Sequence, residues 1–112
     1  MSHERINAYR IMWLIVFFDL PVVKAAERKK ATKFRNDLMK DGFTMLQYSV
    51  YIRHCASRES ADVHIKRVRG FVPDKGCVTI MTITDKQYGD IVNLWGKKTP
   101  PVQKTPAQLE FF

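Results

Sequence analysis

The strongest pattern in the chain is an apolar run at residues 12–18 that ends at Asp19 and is followed by Leu20 and Pro21. The run is rich in β-branched and aromatic side chains, which predicts a strand buried on both faces. A carboxylate at the end of such a strand is costly to desolvate, so it meets solvent, a cation or a hydrogen-bond donor. Alternatively, Asp19 is only a turn residue before Pro21. The local pattern leaves both interpretations open.

Two helices are predicted by apolar residues spaced three and four apart. The first spans residues 24–40 and stops at Asp41-Gly42, and the second runs from a Ser57 cap to about Arg69 and is ended by Gly70. The inward-facing positions are Ala31, Phe34 and Leu38 in the first helix and Ala61, Ile65 and Val68 in the second. His64 is then interpreted as a residue on the surface of the second helix.

Short β-branched and aromatic segments predict the remaining strands, at 43–48, 50–55, 77–84 and 91–95, with one helical turn opening at Thr84. The order βαββαβ favours a 4-1-3-2 sheet with both helices on one face. We therefore predict an α+β fold, a ferredoxin-like βαββαβ sandwich with an added C-terminal strand. Residues 11–95 form this domain, between a polar leader at 1–10 and a tail at 96–112.

The face of the sheet opposite the helices is predicted to be apolar as well. Alternation along the first strand sends Trp13, Ile15 and Phe17 to that face, and an exposed patch of this kind marks an interface. A two-fold homodimer buries it with the fewest requirements. The tail ends in Leu109, Phe111 and Phe112, which either dock onto a partner protein or fold back on the domain.

Charge points to a polyanionic partner. Nineteen Lys and Arg against eleven Asp and Glu give a net charge of +8, which favours nucleic acid. Candidate phosphate contacts are Lys24, Arg28, Lys29, Lys33, Arg53, Arg58, Lys66, Arg67 and Arg69. The two cysteines, Cys55 and Cys77, are predicted to be free thiols, and without a membrane-length apolar run or a signal peptide we expect a cytoplasmic protein.

A single Asp is too little to hold a catalytic Mg²⁺, which takes one or two carboxylates together with waters and phosphate oxygens. If the dimer axis passes near the end of the first strand, Asp19 of each copy faces the same ion, and bound water attacks a phosphodiester. Asp19 is therefore the candidate catalytic and metal-binding residue.

Several motifs together resemble a known family. They are the strand end Phe18-Asp19-Leu20-Pro21, Glu27-Arg28-Lys29 on the first helix, Gly42-Phe43, Gln47-Tyr48-Ser49-Val50-Tyr51, Lys75-Gly76 and Thr84-Asp85-Lys86-Gln87-Tyr88. In their order and spacing they closely resemble CRISPR-associated protein two, and the details look most like the version found beside single-effector systems. The resemblance covers residues 9–95.

The resemblance implies a homodimer in which the fifth strand of one chain completes the sheet of the other, which places Ile91 and Leu94 in the dimer interface. It implies that Asp19 binds Mg²⁺ for endonuclease activity on RNA or DNA. It also implies a role as the bridge between dimers of the integrase, CRISPR-associated protein one, holding double-stranded DNA during spacer acquisition. The residues themselves favour the bridge, because cations are plentiful and no second group is spaced to act as general base.

An RNA-recognition domain that binds single-stranded RNA without catalysis is the alternative, because it shares the βαββαβ order. Its third strand would need a Gly-aromatic pattern, which residues 49–54 lack.

Overall fold

The structure is a computed structural model that describes residues 11–97. The predicted leader at 1–10 and residues 98–112 of the predicted tail, with Leu109, Phe111 and Phe112, lie outside the described residues. The elements are β1 Met12–Asp19, α1 Ala25–Lys40, β2 Thr44–Gln47, β3 Val50–Cys55, α2 Arg58–Phe71, β4 Cys77–Thr84 and α3 Asp85–Gly89.

The four strands form one antiparallel sheet in the order β2-β3-β1-β4, which confirms the predicted 4-1-3-2 order. β1 is central, pairing with β3 from Met12 to Phe17 and with β4 along its whole length. The ferredoxin-like βαββαβ arrangement is therefore confirmed. The central position of β1 agrees with its apolar composition, because most of its side chains are buried.

The core lies between the sheet and the two long helices. Leu14 and Val16 of β1 are fully buried there with Phe34 and Leu38 of α1 and Val68 of α2. All five are aliphatic or aromatic residues at the spacings that predicted them. Truncating one of these larger side chains to Ala would cost about 2–5 kcal/mol of stability, because the close-packed surroundings collapse only in part.

Helix boundaries follow local capping. The Ser57 side chain accepts a hydrogen bond from the Ser60 backbone N–H at 3.0 Å, so the predicted cap of α2 is confirmed. Gly70, predicted to end α2, is wrong as a stop signal, because the helix continues to Phe71. A glycine ends a helix by taking a positive φ, and among the described glycines only Gly42 and Gly76 do so.

The predicted fifth strand at 91–95 is not found in the described chain, where this segment has no regular secondary structure. Leu94 is 89% exposed and Trp95 56% exposed. A strand requires a neighbouring ladder for its backbone groups, and the described residues of one chain provide none here. A strand formed here by pairing with the sheet of a second copy stays a prediction.

Candidate functional site

Asp19 is the last residue of β1, and its side chain is exposed on the sheet face away from the helices. It is paired with Cys77 at the start of β4, whereas Phe18, one residue earlier, points into the core and is 6% exposed. Strand alternation therefore separates an apolar anchor from a solvent-facing carboxylate within two residues. The alternative that Asp19 is only a turn residue is wrong about its backbone, because Asp19 is part of the β1–β4 ladder.

Two turns lie against this end of β1. The Phe18 N–H donates to the Ser49 carbonyl oxygen at 3.1 Å, which fixes the 48–49 turn beside the strand. On the other side is Gly76, at φ +93, where a Cβ atom would lie 2.7 Å from the Asp19 carbonyl oxygen. Only glycine allows the 73–76 turn to approach so closely, so Gly76 sets the backbone position of Asp19.

The carboxylate chemistry of Asp19 suits a hard cation such as Mg²⁺, but the described part of one chain provides no complete metal site. Within residues 11–97, no three His, Cys, Asp or Glu side chains lie close enough together to hold a metal ion. Asp19 can therefore contribute one ligand, and water, substrate or another copy of the chain can contribute others.

The open sheet face carries exposed apolar side chains next to Asp19. Phe17 is 37% exposed and Met81 is 45% exposed, and their positions are diagonal neighbours across the β1–β4 pair. Ile15, predicted as an interface residue, is already buried in the single chain at 5% exposure, so a partner would gain little from it. The available apolar area is therefore centred on Phe17 and Met81.

Trp13, also predicted as an interface residue, packs within its own chain. Its ring stacks on Tyr88 of α3 with a centroid distance of 3.6 Å, and its Nε1–H donates to Asp85 Oδ1 at 2.8 Å. Burial, followed by the nearby Asp85 carboxylate, raises the pKa of the Tyr88 hydroxyl. Of the two residues predicted from the fifth strand, Ile91 is half-buried and Leu94 is exposed.

On β3, the open face lacks the stacking rings that an RNA-recognition domain needs. β3 presents Val50, Ile52 and His54 there, without a Phe, Tyr or Trp, while its Tyr51 is buried beneath the helices at 2% exposure. The geometry of this strand therefore argues against that alternative.

The nine predicted phosphate contacts are distributed over both helices and β3. All are exposed except Arg53, which is half-buried. Three lie along α1 and line a broad, shallow surface with Lys30 and Lys40: these are Arg28, Lys29 and Lys33. The other exposed members are Lys24 before α1, and Arg58, Lys66, Arg67 and Arg69 on α2.

Several of these cations already have partners in the chain. Arg28 donates from Nη1 to the carbonyl oxygens of Val22 and Val23, at 3.2 and 2.6 Å. Lys33 pairs with Asp37 at 2.6 Å, and Arg53 donates to the His54 carbonyl oxygen at 3.0 Å. An ion pair with so exposed a lysine is weak, so Lys33 remains able to exchange Asp37 for a phosphate.

The prediction that His64 is a helix-surface residue is wrong. It is 6% exposed, and its Nδ1 lies 2.7 Å from Asp41 Oδ2, while Arg67 Nη1 lies 3.0 Å from Asp41 Oδ1. Asp41 directly follows α1, so this cluster ties the end of α1 to the middle of α2. Buried polar groups need such partners, and the partner here is 23 residues away in sequence.

Both cysteines are free thiols. Cys55 is buried, and this burial raises the pKa of its thiol, whereas Cys77 is exposed next to Asp19. Within the described residues, no helix is both long and apolar enough to cross a membrane.

One more contact near Asp19 has no signal in the sequence. The Arg35 guanidinium of α1 lies over the Tyr48 ring, 4.1 Å from its centroid, and 5.3 Å from the centroid of the Phe18 ring. No local pattern indicates this contact, because it depends on how α1 crosses the β2–β3 turn.

Comparison with known proteins gives consistent results. The family model described as "CRISPR associated protein Cas2" matches residues 12–91. The "CRISPR-associated endoribonuclease Cas2" of Flavobacterium psychrophilum is 50% identical over 98% of this chain and 96% of its own length. The protein of the same name from Parvibaculum lavamentivorans is 52% identical over 90% of this chain and 100% of its own. A solved structure titled "Crystal structure of cas2" shares the fold, with a TM-score of 0.57 and 20% identity, covering 83% of this chain and 95% of that one.

Proposed function

Because the chain belongs to the CRISPR-associated protein Cas2 family, we propose that it is a metal-dependent endoribonuclease whose catalytic carboxylate is Asp19. Two relatives that align over most of their length carry the name endoribonuclease. The observation that carries the residue assignment is the position of Asp19, exposed at the end of the central strand and held there by its pairing with Cys77 of β4.

The proposed active unit is a homodimer. Phe17 and Met81 expose apolar surface on the same face as Asp19, so a copy that covers them also approaches the carboxylate. The two Asp19 side chains would hold Mg²⁺, which supplies Lewis-acid stabilisation of the scissile phosphate and lowers the pKa of an attacking water. Gly76 keeps the backbone of each Asp19 in place, and the surrounding cations bind the substrate backbone.

The test is cleavage of a labelled single-stranded RNA by the purified full chain, with Mg²⁺ or with EDTA. Asp19→Asn should abolish the Mg²⁺-dependent product, because the amide keeps the shape of the side chain but loses the charge. Asp62→Asn is the matched control, since Asp62 is an exposed carboxylate on α2, far along the chain from β1. Full cleavage by Asp19→Asn would refute the assignment.

Subunit mixing tests whether both copies of Asp19 are needed. Equal amounts of parent and Asp19→Asn protein are allowed to exchange subunits, and the cleavage rate is compared with that of the same total amount of parent protein. A shared site leaves about a quarter of that rate, whereas independent sites leave about half. The dimer face is tested by Phe17→Glu and Met81→Glu, which should yield monomers by light scattering. Val63→Glu, at a 48% exposed apolar position on α2, should leave the mass unchanged.

We propose a second role, as the bridge between dimers of CRISPR-associated protein one with double-stranded DNA along the dimer. The supporting observation is the cationic surface of α1, where Arg28, Lys29 and Lys33 are exposed on one helix. Contacts of this kind bind phosphates without sequence preference. Co-purification with the integrase of the same organism, and duplex binding by Asp19→Asn at parental affinity, are the expected results. Failure of the Asp19→Asn dimer to bind duplex would contradict this role.

A further inference from the structure

We propose that Arg35 and Tyr48 form a stacking platform for an unpaired nucleobase of the RNA substrate, beside the end of β1. The proposal deepens the endoribonuclease function and rests on it for the identity of the ligand. None of the candidate nucleic-acid contacts from the sequence includes either residue.

The first observation is the arrangement of three planar groups. The Arg35 guanidinium lies over the buried Phe18 ring and over the Tyr48 ring, 5.3 and 4.1 Å from their centroids. Tyr48 is 70% exposed and Phe18 is 6% exposed. The guanidinium therefore packs on an aromatic ring that remains largely open to solvent, which is the form of a base-stacking surface.

The second observation is the unused hydrogen-bonding capacity of Arg35. Its Nε is buried without a hydrogen-bond partner, and within residues 11–97 no carboxylate lies within ion-pairing distance of it. A guanidinium that stacks while its charge stays uncompensated suits an anionic ligand, because its outer N–H groups can donate to a phosphate oxygen.

The third observation is the location. The Phe18 N–H donates to the Ser49 carbonyl oxygen, so Tyr48 belongs to the turn that abuts the residue before Asp19. The platform lies on the helix side of the β1 end, and Asp19 lies on the open side. A single strand that crosses this end of the sheet can therefore place one base on Tyr48 and a phosphate of the same strand near Asp19. A duplex cannot, because its bases are already stacked and paired.

The experiment measures binding without cleavage. Fluorescence anisotropy in EDTA compares three fluorescein-labelled probes of equal length: an oligoadenylate RNA, the same backbone with abasic residues, and an RNA duplex. The variants are Tyr48→Leu, which removes the ring, and Tyr48→Phe, the matched control that keeps it.

We expect Tyr48→Leu to weaken oligoadenylate binding by roughly 5- to 100-fold, the range for loss of one stacked base, and to leave the abasic and duplex probes within about twofold. Tyr48→Phe should bind all three like the parent. Arg35→Lys keeps the charge without the plane and should reduce the preference for oligoadenylate over the abasic probe. Equal losses on the oligoadenylate and abasic probes, or unchanged binding by Tyr48→Leu, would overturn the proposal.

A second variant separates a loss of stacking from a loss of stability. Tyr48→Trp enlarges the ring and should bind oligoadenylate at least as tightly as the parent, so weaker binding by this variant also counts against a stacking role. Asp19→Asn should keep the preference for oligoadenylate over the abasic probe. If that preference is present but no Mg²⁺-dependent cleavage occurs, the platform stands and the nuclease assignment fails.

Discussion

Replacing Gly76 with Ala tests whether the 73–76 turn holds Asp19 in place. At φ +93 a side chain is strained, which costs about 1–3 kcal/mol. The new Cβ would also lie 2.7 Å from the Asp19 carbonyl oxygen and 2.8 Å from Leu20 Cδ2. A backbone atom cannot rotate away, so the turn or the strand end must shift, at a further cost of about 1–3 kcal/mol. The expected loss in the free energy of unfolding is about 2–6 kcal/mol.

Two other glycines provide matched controls for this substitution. Gly42 has a similar φ of +90, but its nearest neighbour would be the Arg53 guanidinium at 3.1 Å, which can move. Gly42→Ala should therefore lose only the backbone part, about 1–3 kcal/mol. Gly70 has nothing within 4 Å and lies within α2. Gly70→Ala should stabilise the protein by about 0.5–1 kcal/mol, because alanine favours the helix.

The assay is urea unfolding followed by circular dichroism, with all variants at one protein concentration, since dimerisation would make stability concentration-dependent. Cleavage by folded Gly76→Ala protein should fall as well, because the Asp19 backbone is displaced. From most to least stable, the expected order is Gly70→Ala, parent, Gly42→Ala and Gly76→Ala. If the free energy of unfolding of Gly76→Ala lies within about 0.5 kcal/mol of that of the parent, the close approach of the turn to β1 does not constrain Asp19.

Three further results are expected. Asp41→Ala should cost about 1–3 kcal/mol in urea unfolding, because it leaves the buried His64 without its acceptor, and an unchanged midpoint would contradict this. The double change Arg28→Glu and Lys29→Glu should weaken duplex binding and flatten its salt dependence, whereas an unaltered slope would place the duplex elsewhere. Burial raises the pKa of the Cys55 thiol, so the unfolded chain loses this proton first and stability should fall above about pH 8.5. Cys55→Ala should lose less stability over the same pH range. An equal loss in Cys55→Ala and the parent would show that the Cys55 thiol is not its cause.

Local periodicity was sufficient for most of the fold. Alternation along β1 and the three- and four-residue spacing in α1 and α2 are imposed by the core, so the element order and the sheet order could be predicted from the sequence. The segment at 91–95 could not, because a strand depends on a partner that composition does not encode. Gly70 misled for a related reason: a glycine permits a helix to end without requiring it.

The site divides in the same way. Asp19 could be identified from the sequence because a carboxylate interrupts an apolar run, which is a local contrast. The contacts that surround it are long-range. Gly76 contacts β1 from a turn far along the chain, and Arg35 of α1 contacts Tyr48 in the β2–β3 turn. Asp41 after α1 contacts His64 of α2. Side chains that act through partners far away in sequence leave no periodic signal.

The two sides of the β1 end depend on one register. β1 pairs with β3 at six positions and with β4 at eight, and the same alternation that buries Phe18 exposes Asp19. A slip of one residue would bury the carboxylate and expose the Phe18 ring that supports Arg35, so both candidate functions would be lost together. Such a slip would also turn Leu14 and Val16 out of the core, where both are fully buried. The hydrophobic core therefore fixes the candidate carboxylate and the stacking platform relative to each other, although neither contributes to that core.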